Sequence, residues 1–167
     1  MNWWFGAIVK ILPAYLANTG PLVLKPLDFL KLSRPLDGGR NFMDGRRVFG
    51  DGKTWYGLLT FLLVGTLTGA GLAFTGIHTW LTGLVLGFGA FLGDLGGSFL
   101  KRRLGMKRGQ NAGLLDREDF ITGAILLSLP LMSWSLPELI LVYALTPVIH
   151  KLSNTVGYLL KIKEVPW

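Results

Sequence analysis

The chain has 167 residues, of which half are hydrophobic and 16% are charged, and its formal net charge is +7 at pH 7. Its apolar residues fall into runs of roughly 20, the length of a helix that crosses a bilayer, and a soluble domain of this size could not bury them. The absence of cysteine excludes disulfides, zinc–thiolate sites and thiol nucleophiles. Because the basic residues cluster between apolar runs and lack an aromatic RNA-binding pattern, nucleic acid is not expected as a partner.

The apolar runs predict an all-α, polytopic membrane protein that forms one integral domain over residues 1–167. In chain order, the predicted transmembrane helices cover about residues 3–17, 55–74, 80–99, 120–134 and 136–152, and the alternative end of the last helix is Leu160. The first run has no basic region before it and no small-x-small pattern after it, so we expect a retained helix. Lys10 lies inside this run and should reach the interface or face a polar cavity, and Pro13 should interrupt the helix.

Positive charge is distributed unevenly among the connections. Residues 19–53 contain seven lysines and arginines and residues 100–119 contain six, whereas the turn between the second and third runs contains none. By the positive-inside rule, both long loops and the C-terminus are predicted to be cytoplasmic, and the N-terminus is predicted to lie outside.

Asp94 lies within the third apolar run, where an ionised carboxylate is costly unless a cation compensates it. On a helix, Asp94, Ser98 and Lys101 share one face, and Arg102 lies beside it. This arrangement is typical of a metal ligand followed by phosphate-binding bases, although a structural salt bridge to a neighbouring helix is the alternative. Nearby glycines serve either helix packing or close approach to a ligand: Gly89, Gly93, Gly96 and Gly97.

The second long loop ends in an acidic cluster. Asp119 suits the start of the fourth helix as a cap, whereas Asp116 is interpreted as a site residue. Asp94 and Asp116 together would offer Mg²⁺ two hard oxygen ligands. The other bases of this loop are predicted to be cytoplasmic anchors: Arg103, Lys107 and Arg108.

The first long loop contains a second glycine-rich and basic segment, residues 44–54, directly before the second helix. Arginines and backbone amides in such a segment suit phosphate oxygens, although a solvated turn with anchoring charges is the alternative. The spacing of a P-loop is not met. His78 and His150 are interpreted as structural or solvated rather than as metal ligands.

These segments resemble a known enzyme family. The blocks that resemble the signature of CDP-diacylglycerol synthases are Gly93-Asp94-Leu95, Ser98, Lys101-Arg102 and Gly113-x-x-Asp116-Arg117-x-Asp119. The first-loop block, residues 44–54, together with Asn18 and Pro21, resembles the archaeal branch, the CDP-archaeol synthases. The lack of a Lys-Asp and Pro-Gly-His-Gly stretch between Lys101 and Asp116 also favours that branch.

The resemblance implies a Mg²⁺-dependent transfer of CMP from CTP to an unsaturated archaetidic acid, a prenyl-ether glycerol phosphate, which forms CDP-archaeol and pyrophosphate at a cytoplasmic site. It implies that Asp94 and Asp116 bind the metal and that Lys101 acts with them in catalysis. The residues implied to bind CTP and its phosphates are Asn18, Arg46, Arg47, Asp51, Lys53, Ser98, Arg102, Gly113, Arg117 and Asp119.

Three other functions were weighed against this one. A small transporter or channel-associated subunit would use Asp94 as an ion or proton site, but its long basic loops would be unexplained. A purely structural membrane subunit would tolerate exchange of its loop charges. A CDP-alcohol phosphatidyltransferase is excluded because Asp44-Gly45 is not followed by the Ala-Arg and later aspartates of that motif. The oligomeric state is left open.

Overall fold

The computed structural model describes residues 2–24, 28, 31–107, 110 and 112–159. The described part is all-α, as predicted, with five α-helices, one 3₁₀ turn and two isolated β-bridges. The helices are α1 (Trp3–Val23), α2 (Trp55–Gly71), α3 (Trp80–Arg103), α4 (Leu115–Ser128) and α5 (Leu136–Leu159). The proposed extension of the last helix to Leu160 and the predicted anchor Arg108 lie outside the described residues.

Helix α1 is longer than predicted and is not interrupted at Pro13, which corrects the expected break. Proline lacks the amide that would donate to the carbonyl of Val9, four residues earlier. His78 replaces this donor, because its Nε2 lies 2.8 Å from the Val9 carbonyl oxygen and its side chain is buried. Of the two interpretations of His78, the structural one is therefore confirmed.

Lys10 is held by the turn that joins α4 to α5. Its Nζ lies 2.6 Å from Glu138 Oε1 and 3.1 Å from the Ser133 carbonyl oxygen. Glu138 also accepts hydrogen bonds from the amide and hydroxyl of Ser135, so both members of the ion pair are well satisfied. This contact links the start of α1 to the start of α5.

Helix α4 begins and ends earlier than the predicted 120–134. It ends at Ser128, two residues before Pro130, which has no amide to donate to the carbonyl of Leu126. At its other end, Asp116 and Asp119 lie on the first turns of α4 instead of in a loop, and Lys101 lies on α3. The second loop is consequently shorter than the predicted 100–119, and Lys101 of α3 pairs with Asp116 of α4.

Glycines bring the middle helices into backbone contact. A Cβ atom on Gly69 would lie 2.6 Å from the Cα of Gly83, at the crossing of α2 and α3. On the other side of α3, a Cβ on Gly89 would lie 2.6 Å from the Gly123 carbonyl of α4. Helix packing therefore explains the glycine at position 89. Where α3 crosses α2 and α4, there is no room for a side chain.

Two of the described helices, α3 and α5, are long and apolar enough to cross a membrane, and α2 is a shorter apolar helix of 17 residues. Large apolar side chains also point outward from several helices, as expected where lipid replaces water. Examples with at least half of their surface exposed are Leu67, Leu126, Ile140, Val148 and Leu152. The number of membrane crossings and the side on which each loop lies stay predictions.

Candidate active site

The first loop is organised around a buried carboxylate that sequence reasoning missed. Asp37 accepts hydrogen bonds from the Arg47 guanidinium at 2.6 Å and from the amides of Gly39, Phe49 and Gly50 at 2.8 to 3.0 Å. Its side chain is 1% exposed. Burial alone would raise the pKa of Asp37, but the guanidinium and the three amides hold this pKa well below its usual range. Asp37 is therefore an ionised anchor that fixes the glycine-rich segment.

Arg47 connects this anchor to the exposed tip of the same loop. While it donates to Asp37, its other guanidinium nitrogen lies 2.8 Å from Asp51 Oδ1. Both carboxylates raise the pKa of Arg47, so it stays charged. Arg47 consequently stabilises the loop in addition to contributing positive charge.

Arg103 joins the first loop to the end of α3. It forms an ion pair with Asp44 at 2.6 Å and donates to the Arg47 carbonyl at 2.5 Å. Its guanidinium also stacks 4.9 Å from the ring centres of both Phe42 and Phe99. The prediction that Arg103 is only a cytoplasmic anchor is therefore wrong, because its side chain positions the loop over the helix.

Asp94 on α3 pairs with Lys53, the residue that comes just before the N-cap of α2. The two charged atoms are 2.5 Å apart, and each side chain is about one-fifth exposed. Thr54 caps α2 by accepting a hydrogen bond from the Gly57 amide. This cap fixes the backbone position of Lys53, the preceding residue. Asp94 therefore does form a salt bridge, but with a lysine of the first loop and not with a neighbouring helix as the alternative interpretation had it.

Asp119 on α4 lies beside Asp94. A Cβ on Gly97 would overlap with the Asp119 carboxylate, and Gly97 follows Asp94 by one helical turn of α3. The charges of Asp94, Lys53 and Lys101 all act on Asp119. Gly97 therefore admits a second carboxylate to the face of α3 that carries Asp94.

Lys101 and Asp116 form a separate ion pair at the beginning of α4. Their charged atoms are 2.5 Å apart, and Asp116 also accepts a hydrogen bond of 2.7 Å from the Ala112 amide. Asp116 thereby closes the second loop onto α3. The charge of Asp94 acts on Asp119, whereas Asp116 is engaged by Lys101 and the Ala112 amide.

A cavity of about 520 Å³ lies between the first loop and the end of α3. The basic residues that line it are Arg46, Arg47, Lys53, Lys101, Arg102 and Lys107. Ser98 and the amide-bearing segment from Phe49 to Gly52 complete its wall. The buried Nε of Arg102 has no hydrogen-bond partner among the described residues, so this guanidinium retains a free donor. The charge of this basic cavity suits a polyphosphate.

A second cavity of about 890 Å³, the inner chamber, adjoins the basic cavity. Asp51, Gly52 and Lys53 line both, and the inner chamber also contains Asp94 and Asn18. Its other walls come from α1, α2, α3 and α5 and mix polar with apolar side chains, so it extends from the loops into the helix bundle. Lys53 and Asp94 consequently lie where the basic cavity meets a chamber that reaches into the bundle.

The predicted site residues are thus distributed unequally. Arg46, Arg47, Ser98, Lys101 and Arg102 line the basic cavity, as their spacing predicted. Asn18 lines the inner chamber but not the basic cavity. Gly113, in the left-handed conformation at φ +66, lines neither of the two, and the same is true of Asp116, Arg117 and Asp119.

Two residues that shape this site, Asp37 and Arg103, were missed by sequence reasoning. Asp37 is followed by Gly38 and Gly39, both with positive φ, and this Asp-Gly-Gly pattern is typical of a turn closed by an aspartate side chain. That pattern could have indicated a structural carboxylate. Arg103 differs, because a basic residue at the end of a helix gives no signal for its contacts with a distant loop.

Comparison with known proteins assigns the whole chain to one family. The family described as CarS-like CDP-archaeol synthase matches residues 1–167. This chain belongs to the CDP-archaeol synthase family. Such membership makes it a CTP-dependent nucleotidyltransferase of archaeal lipid biosynthesis, and it favours the enzyme over a transporter or a structural subunit.

Curated relatives and a solved structure support the assignment. The CDP-archaeol synthase of Pyrococcus abyssi is 42% identical to this chain, and the alignment covers both chains completely. The CDP-archaeol synthase of Methanopyrus kandleri is 43% identical, and the alignment covers 98% of this chain and 91% of the relative. A solved structure described as an intramembrane enzyme for archaeal membrane lipids biosynthesis is similar with a TM-score of 0.80 and 38% identity, covering 90% of this chain and 94% of that one. The fold is therefore that of a membrane enzyme.

Proposed function

We propose that this enzyme transfers CMP from CTP to an unsaturated archaetidic acid, a glycerol phosphate with prenyl-ether chains, and releases CDP-archaeol and pyrophosphate. The observation that carries this proposal is the meeting of the basic cavity with the inner chamber at Lys53 and Asp94. A triphosphate suits the first space, and an amphiphilic phosphate that arrives from the bilayer suits the second. The curated relatives carry the name of this activity.

In the proposed reaction, an oxygen of the lipid phosphate forms a bond to the α-phosphorus of CTP while the bond to the β-phosphate oxygen breaks. The main obstacle is repulsion between two anions, which Arg46, Arg47 and Lys101 would reduce by holding the triphosphate. Lys53 would lie between the two substrates. A general base is not required, because the second pKa of a phosphate monoester is about 6 and the nucleophilic oxygen is already ionised.

Asp94 and Asp119 are the residues that we propose would hold Mg²⁺. Adjacent carboxylates supply the hard oxygen donors that Mg²⁺ prefers, and no group of three metal-binding side chains occurs among the described residues, so water and phosphate oxygens would complete the coordination. When bound, the ion would neutralise charge on the triphosphate. The engagement of Asp116 by Lys101 and the Ala112 amide favours Asp119 over Asp116 as the second ligand.

We also propose that the chain forms one membrane domain with its long loops and active site on the cytoplasmic side and its N-terminus outside. The bases that line the basic cavity are among those that the positive-inside rule assigns to the cytoplasm. CTP and its product pyrophosphate would then be exchanged directly with the cytoplasm. Labelling of single cysteines introduced at positions 76 and 51 in intact vesicles would test this orientation.

The proposed reaction is tested by turnover of the purified protein in detergent. The assay contains a synthetic prenyl-ether glycerol phosphate, CTP and Mg²⁺, and it follows pyrophosphate, with ATP in place of CTP and omission of lipid as controls. We expect pyrophosphate only when both CTP and lipid are present. Its absence from folded protein would contradict the proposal.

Arg46→Ala tests which substrate the first loop binds. Because Arg46 lines the basic cavity and not the inner chamber, we expect the KM for CTP to rise about tenfold while the KM for lipid changes little. A larger rise in the KM for lipid would move this loop to the lipid site.

A further inference from the structure

An apolar cavity of about 280 Å³, the α1–α5 slot, lies between the first and last helices. It is lined by Ile8, Ile11, Leu12, Tyr15, Leu16, Asn18, Thr19, Phe120, Val142, Leu145, Ile149, His150 and Ser153. The polar members other than Tyr15 lie at one end. The Tyr15 hydroxyl is itself hydrogen-bonded to Thr146 at 2.8 Å, so it leaves little polar surface in the slot.

The polar end of the α1–α5 slot opens on the inner chamber. Asn18, Thr19, His150 and Ser153 line both spaces. The same chamber contains Lys53 and Asp94, where the phosphates are expected to meet. A continuous path therefore leads from the charged site, through a polar mouth, into an apolar space within the bundle.

We propose that one hydrocarbon chain of the lipid phosphate occupies the α1–α5 slot while its phosphate lies in the inner chamber. This inference rests on the proposed function. An amphiphile with a phosphate, a polar glycerol ether and an isoprenoid chain matches the order of surfaces along the path: cationic, polar and apolar. Asn18, which was predicted to bind CTP, is then a contact for the glycerol region of the lipid.

The dimensions and packing of the slot suit such a chain. Between Ile8 and Thr19, α1 rises about 16 Å at 1.5 Å per residue, which accommodates a long stretch of extended hydrocarbon. The hydrogen bond between Tyr15 and Thr146 fixes α1 relative to α5 on one wall. The slot therefore holds the hydrocarbon chain in a defined position, and the position of the chain in turn fixes that of the phosphate.

Variants that fill the slot test this assignment. Leu145→Trp on α5 and Leu12→Trp on α1 place bulk on opposite walls, and both residues are only partly exposed. Val148→Trp is the matched control, because Val148 lies on α5 close to Leu145 but is 55% exposed and lines none of these cavities. Each variant is assayed with a substrate that carries long prenyl chains and with a short-chain ether glycerol phosphate.

We expect both slot variants to lower kcat/KM for the long-chain substrate at least about tenfold, because a misplaced chain displaces the reacting phosphate. The short-chain substrate, the KM for CTP and the Val148→Trp variant should change less than about twofold. Equal losses on long and short chains, or no loss on either, would overturn the assignment of the slot.

A second measurement does not depend on turnover. A lipid phosphate with a diazirine at the end of one chain is photolysed with the wild-type protein, and labelled peptides are mapped by mass spectrometry. The slot assignment is supported if α1 and α5 are labelled and excess unlabelled substrate prevents this labelling. Excess ether lipid without a phosphate should not prevent it. Labels that either lipid removes would show that ordinary bilayer lipid occupies it, which overturns the inference. If wild-type protein is labelled there but releases no pyrophosphate, the proposed function fails and the slot assignment survives.

Discussion

The two sides of the helix bundle are packed differently. On one side, α3 meets α2 and α4 at glycines, so that backbones touch and no side chain intervenes. On the other side, α5 meets α1 through long side chains and leaves the α1–α5 slot between them. The charged groups that α3 and α4 contribute to the candidate site lie on the tightly packed side, where small displacements would separate them, whereas the proposed contacts with hydrocarbon lie on the loosely packed side.

The largest expected effect comes from Asp94 on the tightly packed side. Asp94→Asn removes a carboxylate from the site while keeping its shape, and we expect a loss of turnover of about 10³-fold because charge stabilisation is a large contribution to catalysis. Thermal unfolding in detergent should show that the variant remains folded. A rate near that of the wild type would exclude a role for Asp94 in metal binding.

Gly97→Ala tests whether the tight crossing of α3 and α4 positions the second carboxylate. The new methyl group would overlap with Asp119, so we expect about a 10²-fold loss of kcat. Gly96→Ala is the matched control, since a Cβ there has no neighbour within 4 Å, and its activity should be retained. Equal activity of the two variants would show that the position of Asp119 is unimportant.

Asp37→Asn tests the anchor of the first loop, which lies outside both packed sides. Loss of the charge that orients Arg47 and three loop amides should raise the KM for CTP about tenfold and leave kcat little changed. Asp28→Asn, which alters a carboxylate elsewhere in the same loop, is the control. A change in kcat alone would argue against a role for Asp37 in nucleotide binding.

Asp37 also makes a prediction about pH. Its folded-state pKa lies below the usual carboxyl value, so its stabilisation is fully present above about pH 4 and is lost only as pH falls through the lower, folded pKa. We therefore expect Asp37 to add no pH dependence to the KM for CTP between about pH 5 and 8. Wild-type and Asp37→Asn profiles that diverge within this range would contradict this.

The smallest effect on activity is expected at the far end of α1. Lys10→Met leaves Glu138 without its cationic partner, so we expect a lower unfolding temperature with unchanged kcat. The double variant Lys10→Met, Glu138→Gln should recover part of the loss, because it removes the unpaired charge. A fall in kcat at temperatures where the protein is folded would show that this contact influences the active site.

Part of the site could be predicted from the sequence. Helical periodicity placed Asp94, Ser98 and Lys101 on one face of α3, and all three line the adjoining cavities. This prediction depends on local geometry, which the order of residues specifies. The family resemblance, and not local geometry, implied that the glycine-rich segment of the first loop and the end of α3 serve one site, and both line the basic cavity.

Other features could not be predicted because their partners are distant in the chain. Pro13 should break a helix, but His78 supplies the missing donor from the turn before α3. Arg103 gave no sign that it would hold Asp44, 59 residues earlier. In each case the contact depends on how two helices or a loop and a helix approach each other.

The sequence by itself determined the helical membrane class, the positions of the charged loops and the family, because hydropathy, charge and motif spacing are properties of the chain order. Only the tertiary structure decided which charges meet: Lys53 with Asp94, Lys101 with Asp116, and Asp119 beside Asp94. The reason is physical. The contacts between α3 and α4 depend on how closely these two helices can cross, and the glycines at the crossing allow an approach that no local pattern specifies. Lys53 reaches Asp94 from the loop before α2, which is distant in the chain.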